Sequence, residues 1–165
     1  MDWNEVFPWH PEQSEGFYIM GNPPFLGYAL QSKAQKEDLL FLSKEMGKNI
    51  DYVAGWYVKS ARMMKGNRHI QAALVSTNSI TQGEQTAVLW TELRSILPEI
   101  SILFAHRTFR WDSEAHIKAH VHCVIIGFAT FSVERKHVLF DGNSASIVSN
   151  INPYLVEGPD VLVTS

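Results

Sequence analysis

The sequence predicts an α/β fold, a small open sheet that is mostly parallel with antiparallel pairing at one end. Three observations point there. Short apolar runs alternate with amphipathic helical stretches between residues 17 and 105. That strand–helix–strand order marks parallel strands joined by crossover helices. The last two long apolar runs have only a polar stretch between them, which suits antiparallel neighbours. Hydrophobic residues make up 45% of the 165, enough to build a core within one domain of ordinary length.

The elements follow in order. Residues 1–16, with Pro8, Pro11 and Gly16, read as an irregular lead-in segment. Phe17–Met20 is a short apolar run closed by Gly21 and two prolines, as in a buried strand. Ser32-Lys33-Ala34-Gln35 fits a helix-opening capping box, and Gly47 a stop, with Leu39, Leu40, Leu42 and Met46 facing inward. Asn49 or Asp51 can cap a second helix whose inner positions are Ile50, Val53, Ala54, Tyr57, Ala61 and Met64, ended by Gly66.

Ile70–Val75 is nearly continuous in apolar residues, the pattern of a central strand covered on both faces. A helix from about Glu84 to Leu97 stops before Pro98. Ile100–Ala105 and the longer Val121–Phe128 read as strands. Val138-Leu139-Phe140 is a further strand, followed by a turn at Asp141-Gly142-Asn143 and loops at Asn152-Pro153 and Gly158-Pro159.

Charge and cysteine content narrow the function classes. Lys plus Arg number 14 and Asp plus Glu 17, unlike the basic balance of a self-sufficient nucleic-acid binder. A lone cysteine, Cys123, rules out a disulfide framework within the chain. Met1-Asp2-Trp3-Asn4-Glu5 is not a secretory pattern, and no apolar run reaches the roughly 20 residues of a membrane span. The expected setting is cytoplasmic, with no membrane partner.

The sharpest local feature is Gly21-Asn22-Pro23-Pro24-Phe25-Leu26-Gly27, at the carboxyl end of the first strand. Ligands of open α/β sheets bind at that edge. Two prolines remove backbone donors and fix φ, and Pro23 turns Asn22 away from helical geometry. A stiff loop then holds an amide, free carbonyls and an aromatic ring in fixed relation.

Such a loop suits methylation of the exocyclic amine of a nucleobase, a nitrogen whose lone pair is delocalised into the ring. Two acceptors on its N–H bonds, the Asn22 amide oxygen and the Pro23 carbonyl, favour a tetrahedral nitrogen with its lone pair free. Phe25 can stack on the flipped base. The same residues also fit a proline-stiffened strand exit with an Asx-type turn.

Further along, the chain carries Asp51-Tyr52-Val53-Ala54-Gly55-Trp56-Tyr57, Thr77-Asn78-Ser79 within Val75–Gln85, Phe104-Ala105-His106-Arg107-Thr108-Phe109, Val121–Phe128 and Asn150–Leu155. With Asn22-Pro23-Pro24-Phe25, this set resembles the catalytic half of S-adenosylmethionine-dependent adenine-N6 DNA methyltransferases. It is most similar to the methyltransferase region of large bacterial restriction-modification polypeptides.

The resemblance implies a partial Rossmann-like methyltransferase sheet, with residues 1–165 a single partial domain. Residues 17–140 would be its catalytic half and 141–165 a loop-rich tail. It makes Asn22 the amine-polarising residue, with Pro23 and Pro24 completing the catalytic tetrapeptide and Phe25 stacking on the base. Thr77, Asn78 and Ser79 would line the target pocket, or else simply cap the following helix. Val121–Phe128 would be the reversed strand that such sheets insert near one edge.

Methyltransferases of this class hold S-adenosylmethionine on a glycine-rich turn upstream of the tetrapeptide. Only 21 residues precede Asn22, and no Gly-x-Gly turn follows any strand. The expectation is a fragment without the cofactor-binding first half, inactive alone, meeting DNA through the full-length parent enzyme. An exposed sheet edge would favour self-association. Transfer to RNA or to a protein amide, or a non-catalytic remnant binding DNA or a partner, are the alternative readings.

Other clusters carry less. His120 and His122 share a strand face near His116, but no further ligand completes a metal site. Cys123 reads as a buried small side chain. Lys59, Arg62, Lys65, Arg68 and His69 suit a helix C-terminus better than phosphate contact. Arg107 and Arg110, interleaved with Phe109 and Trp111 on a loop, are candidates for DNA contact or for an ordinary surface.

Overall fold

The computed structural model describes residues 17–47, 49–111, 121–130 and 136–163. The lead-in segment 1–16 lies outside the described residues. Six strands form one sheet: β1 (Tyr18–Gly21), β2 (Gln71–Thr77), β3 (Ser101–Trp111), β4 (Val121–Ala129), β5 (His137–Asp141) and β6 (Ser144–Val148). Their spatial order is β1-β2-β4-β3-β5-β6.

β1 runs parallel to β2, and β3 parallel to β5. β4 is antiparallel to both β2 and β3. The reversed strand therefore lies inside this sheet, keeping its two neighbours co-directional, and β6 supplies an antiparallel edge by folding back on β5. The segment after Asp141, read as loop, thus contributes a strand; its Ser144-Ala145-Ser146 start hides the signal.

Three helices, α1 (Lys33–Leu42), α2 (Ala54–Met64) and α3 (Gly83–Ile96), fill the connections between parallel strands. They build the core with one face of the sheet, where Ala72, Leu74, Ile102, Ala105, Ile126, Phe128 and Leu139 are buried. Tyr57 of α2 docks there by stacking on Phe128 at 5.4 Å and by a 2.7 Å bond between its hydroxyl and that of Ser76. Desolvation pushes the Tyr57 phenol far above its ordinary pKa, so it stays neutral.

The opposite face differs from expectation. β2 is buried at alternate residues only, and Ala73, Val75, Ile125, His106 and Phe140 are half-buried. Phe17–Met20, expected to be buried, supplies an edge strand on which Tyr18 is 69% and Met20 78% exposed. An apolar run signals that a strand can be covered, and the covering layer here is on one side. On the open face Phe104 lies across Gly127, where a Cβ would come within 2.2 Å of the ring.

The capping box of α1 is present: Gln35 N–H donates to Ser32 Oγ at 3.3 Å and Ser32 N–H to Gln35 Oε1 at 2.9 Å. That helix stops at Leu42, short of Gly47. Ser43 turns extended, and its hydroxyl donates to Glu92 of α3 at 2.9 Å. A 3-10 turn at Glu45–Gly47 then carries Met46 into the core, while Leu40 is left half-exposed. Among the described residues, no helix is long and apolar enough to cross a membrane.

Candidate active site

Because β1 and β2 are parallel, Asn22 and Thr77-Asn78-Ser79 leave the sheet along the same edge. Pro23 is buried beneath the tetrapeptide, Phe25 is half-buried against the core, and Asn22 is exposed. The Asn22 carboxamide makes no hydrogen bond to any described residue. It forms no Asx turn; its amide faces outward from a rigid loop.

Rigidity comes from behind the loop. Leu26 N–H donates to Asp51 Oδ1 at 3.1 Å. Leu26 C=O accepts from Tyr52 N–H and from Gln31 Nε2, each at 2.9 Å. Gln31 also donates to Ile50 C=O at 2.8 Å, so one buried amide ties two loops together. The residue after Phe25 is therefore fixed at both main-chain groups.

Asp51, 3% exposed, joins this loop to the β2 exit. Its Oδ1 also accepts from Val53 N–H at 3.0 Å, and its Oδ2 from the Thr77 hydroxyl at 3.0 Å. Its own N–H donates to Gln85 Oε1 at 3.0 Å. Thr77 Oγ1 lies 2.7 Å from Ser79 Oγ. Of the two caps offered by the sequence, Asp51 serves the turn that opens α2. Its wider role, and those of Gln31 and Gln85, were not legible; the only signal was polar residues set among apolar ones.

Asn78 faces a second element. Its Oδ1 accepts from Thr108 Oγ1 at 2.7 Å, and its main-chain carbonyl from Thr81 Oγ1 at 2.8 Å. Beside it opens a cleft of about 280 Å³ lined by Asn78, Gln82, Arg107, Thr108, Asp141 and Tyr154 among others. The strand β3 continues to Trp111, so Arg107 and Phe109 stand on a strand and not on a loop. Arg107 is held by Leu155 C=O at 2.9 Å and by Asp141 at 3.1 Å, and Phe109 packs edge-on to His106 at 5.0 Å.

Comparison with known proteins decides the family. The model of the MmeI DNA-methyltransferase domain matches residues 1–141. This chain belongs to the MmeI DNA-methyltransferase domain family. DNA methyltransferase A of Bacillus subtilis (strain 168) is 40% identical over 167 residues, covering 100% of this chain and 18% of that protein. The Type IIL restriction-modification enzyme MmeI, solved in complex with DNA, superposes with a TM-score of 0.85 at 43% identity. That match covers 98% of this chain and 22% of the enzyme, so the chain spans about a fifth of the relatives it resembles.

The MmeI family implies S-adenosylmethionine, and the described residues do not fit a site for it. The turn after β1 is filled by Pro23 and Pro24, and the turn after β2 is the 3-10 segment Asn78–Thr81. Neither is a glycine cradle open to a nucleoside.

The remaining candidates stay outside that corner. His116 and His120 lie outside the described residues, while His122 is exposed and Cys123 buried on adjacent positions of β4. Burial pushes the Cys123 thiol up, away from the reactive thiolate. Among the described residues, no group of three His, Cys, Asp or Glu side chains could hold a metal ion. At the end of α2, Arg62 donates to Leu42 C=O and Arg68 pairs with Glu99, a structural use of those charges. The Arg110 and Trp111 side chains lie outside the described residues.

Proposed function

We propose that this domain is the methyl-acceptor half of an adenine-N6 DNA methyltransferase. One observation carries the reading: Asn22 presents an exposed carboxamide with no hydrogen bond among the described residues, on a loop whose main chain is pinned from behind. In this reading the Asn22 oxygen and the Pro23 carbonyl accept the two N–H bonds of a flipped adenine's amine. Pyramidalised in this way, the nitrogen directs its lone pair at the methyl group. Pro24 keeps the loop extended, and Phe25 stacks on the base. Thr77, Asn78 and Ser79 line the pocket from the β2 side.

S-adenosylmethionine supplies the methyl group when bound, held by parts of the polypeptide beyond these residues, and the isolated chain is inactive. DNA is reached by the whole enzyme, a reading supported by the complex of MmeI with DNA. The Asn22→Ala variant of the full-length protein should lose methyl incorporation into duplex DNA while keeping DNA binding. Retained turnover, or faster transfer to RNA or to a protein amide, rejects the assignment.

Self-association belongs to the same reading, supported by the exposed Tyr18 and Met20 on edge strand β1. Light scattering of the isolated chain should show mass rising with concentration. A constant monomer mass would count against it.

A further inference from the structure

We propose that Asp51 is a positioning residue of the methylation site, and that it sets the polarity of the Ser79 hydroxyl. The inference rests on the reading of the Asn22 loop as the base-binding loop. Three donors converge on the buried carboxylate: Leu26 N–H, Val53 N–H and the Thr77 hydroxyl. Its two oxygens act as acceptors, Oδ1 for the two N–H groups and Oδ2 for the hydroxyl, so one side chain satisfies all three at once.

The consequence runs outward along the chain of hydroxyls. Thr77 has one hydroxyl hydrogen, and it is given to Asp51. In the 2.7 Å contact between Thr77 and Ser79, Ser79 must then be the donor. With its only hydrogen turned inward, the part-buried Ser79 oxygen presents lone pairs to its surroundings. In the base-binding reading Asn22 and Pro23 already take both N–H bonds of the amine, so the Ser79 oxygen is an acceptor lining the β2 side of the pocket beside the base and not a partner of the amine itself. The same carboxylate holds Leu26, directly after Phe25. One residue therefore fixes the stacking ring's main chain and the acceptor on the β2 side.

Asp51→Asn makes this testable, being nearly isosteric. The Leu26 and Val53 N–H groups keep the amide oxygen on their side, so the NH2 group of the introduced carboxamide would face Thr77. Thr77 must then accept, its hydrogen passes to Ser79, and Ser79 presents a hydrogen instead of lone pairs. In the full-length enzyme we expect kcat for DNA methylation to fall about tenfold to a hundredfold, with little change in KM for DNA. In a Ser79→Ala background the same substitution should cost much less, because the terminal group is gone.

A loss below about twofold, or an equal loss in both backgrounds, overturns the proposal. Thr77→Val, which cuts the chain without touching the Leu26 clamp, should show the same non-additivity with Ser79→Ala and decides the matter if Asp51→Asn does not fold. Asn22→Ala is run alongside. If it methylates like the wild type, the base-binding reading has failed; if it is dead while Asp51→Asn is fully active, only the role of Asp51 has.

Discussion

Asn22-Pro23-Pro24-Phe25 leaves β1, and Asn152-Pro153-Tyr154-Leu155 follows β6; in both, asparagine precedes a buried proline and an aromatic ring is near. At the second site the side chain closes its own turn. Asn152 Oδ1 accepts from Tyr154 N–H at 3.0 Å and from Val156 N–H at 3.4 Å, and Leu155 N–H returns to Asn152 C=O at 2.9 Å. Asn152 is only 8% exposed, with its acceptor fully engaged. At the first site the turn is held by other residues, Gln31 and Asp51, and the amide is left over. A loop braced from outside can lend its own polar group to a ligand, whereas a loop that braces itself cannot.

Substituting the two asparagines is the strongest way to break that contrast. Asn22→Ala should cost about 10²–10³ in kcat, by analogy with removing one preorganised hydrogen-bonding group around a reacting atom. Its thermal midpoint should hardly move, because the side chain is exposed and bonds to none of the described residues. The check pairs methyl-transfer kinetics with calorimetry on the full-length enzyme. A destabilised but active variant would place Asn22 in the same structural class as Asn152.

The sequence showed the tetrapeptide, the capping box at Ser32 and the strand–helix order, because each is local or periodic. It did not show that α1 ends at Leu42, since the stop depends on Ser43 meeting Glu92, 49 residues away. Nor could the run Ile70–Val75 reveal one-sided burial, as apolar character does not count the layers above a strand. Asp51 looked like a helix cap; its bonds to Leu26 and Thr77 span 25 and 26 residues and have no spacing rule. The candidate loop Asn22-Pro23-Pro24-Phe25 was legible as a motif, and the residues that brace it were not.

The aromatic members of the two loops give a smaller effect. Phe25 is half-buried against the core with part of its ring free, whereas the Tyr154 hydroxyl accepts from Val163 N–H at 2.9 Å. Phe25→Leu should weaken capture of an extrahelical base by roughly 1–3 kcal/mol. The fluorescence of 2-aminopurine placed at the target adenine reads this directly, and Phe25→Tyr should preserve most of it. An unchanged signal in Phe25→Leu would remove the ring from the base site and leave it a packing residue.

Asn152→Ala is the smallest change and completes the crossing. Two main-chain N–H groups lose their shared acceptor, a loss of about 1–2 kcal/mol in denaturant unfolding. The turn also holds Leu155 at φ 57, a left-handed conformation that a β-carbon disfavours, so the lost bonds release local strain and soften the penalty. Asn152→Asp keeps the oxygen acceptor and should recover most of the stability. Well below the unfolding midpoint, Asn152→Ala should methylate DNA with a near-native kcat. The coupling that could spoil this runs through Leu155 C=O, which accepts from Arg107 Nε beside Asn78. If kcat falls while the fold is intact, the self-braced turn reaches the site through Arg107, and the two loops are less independent than their hydrogen bonds imply.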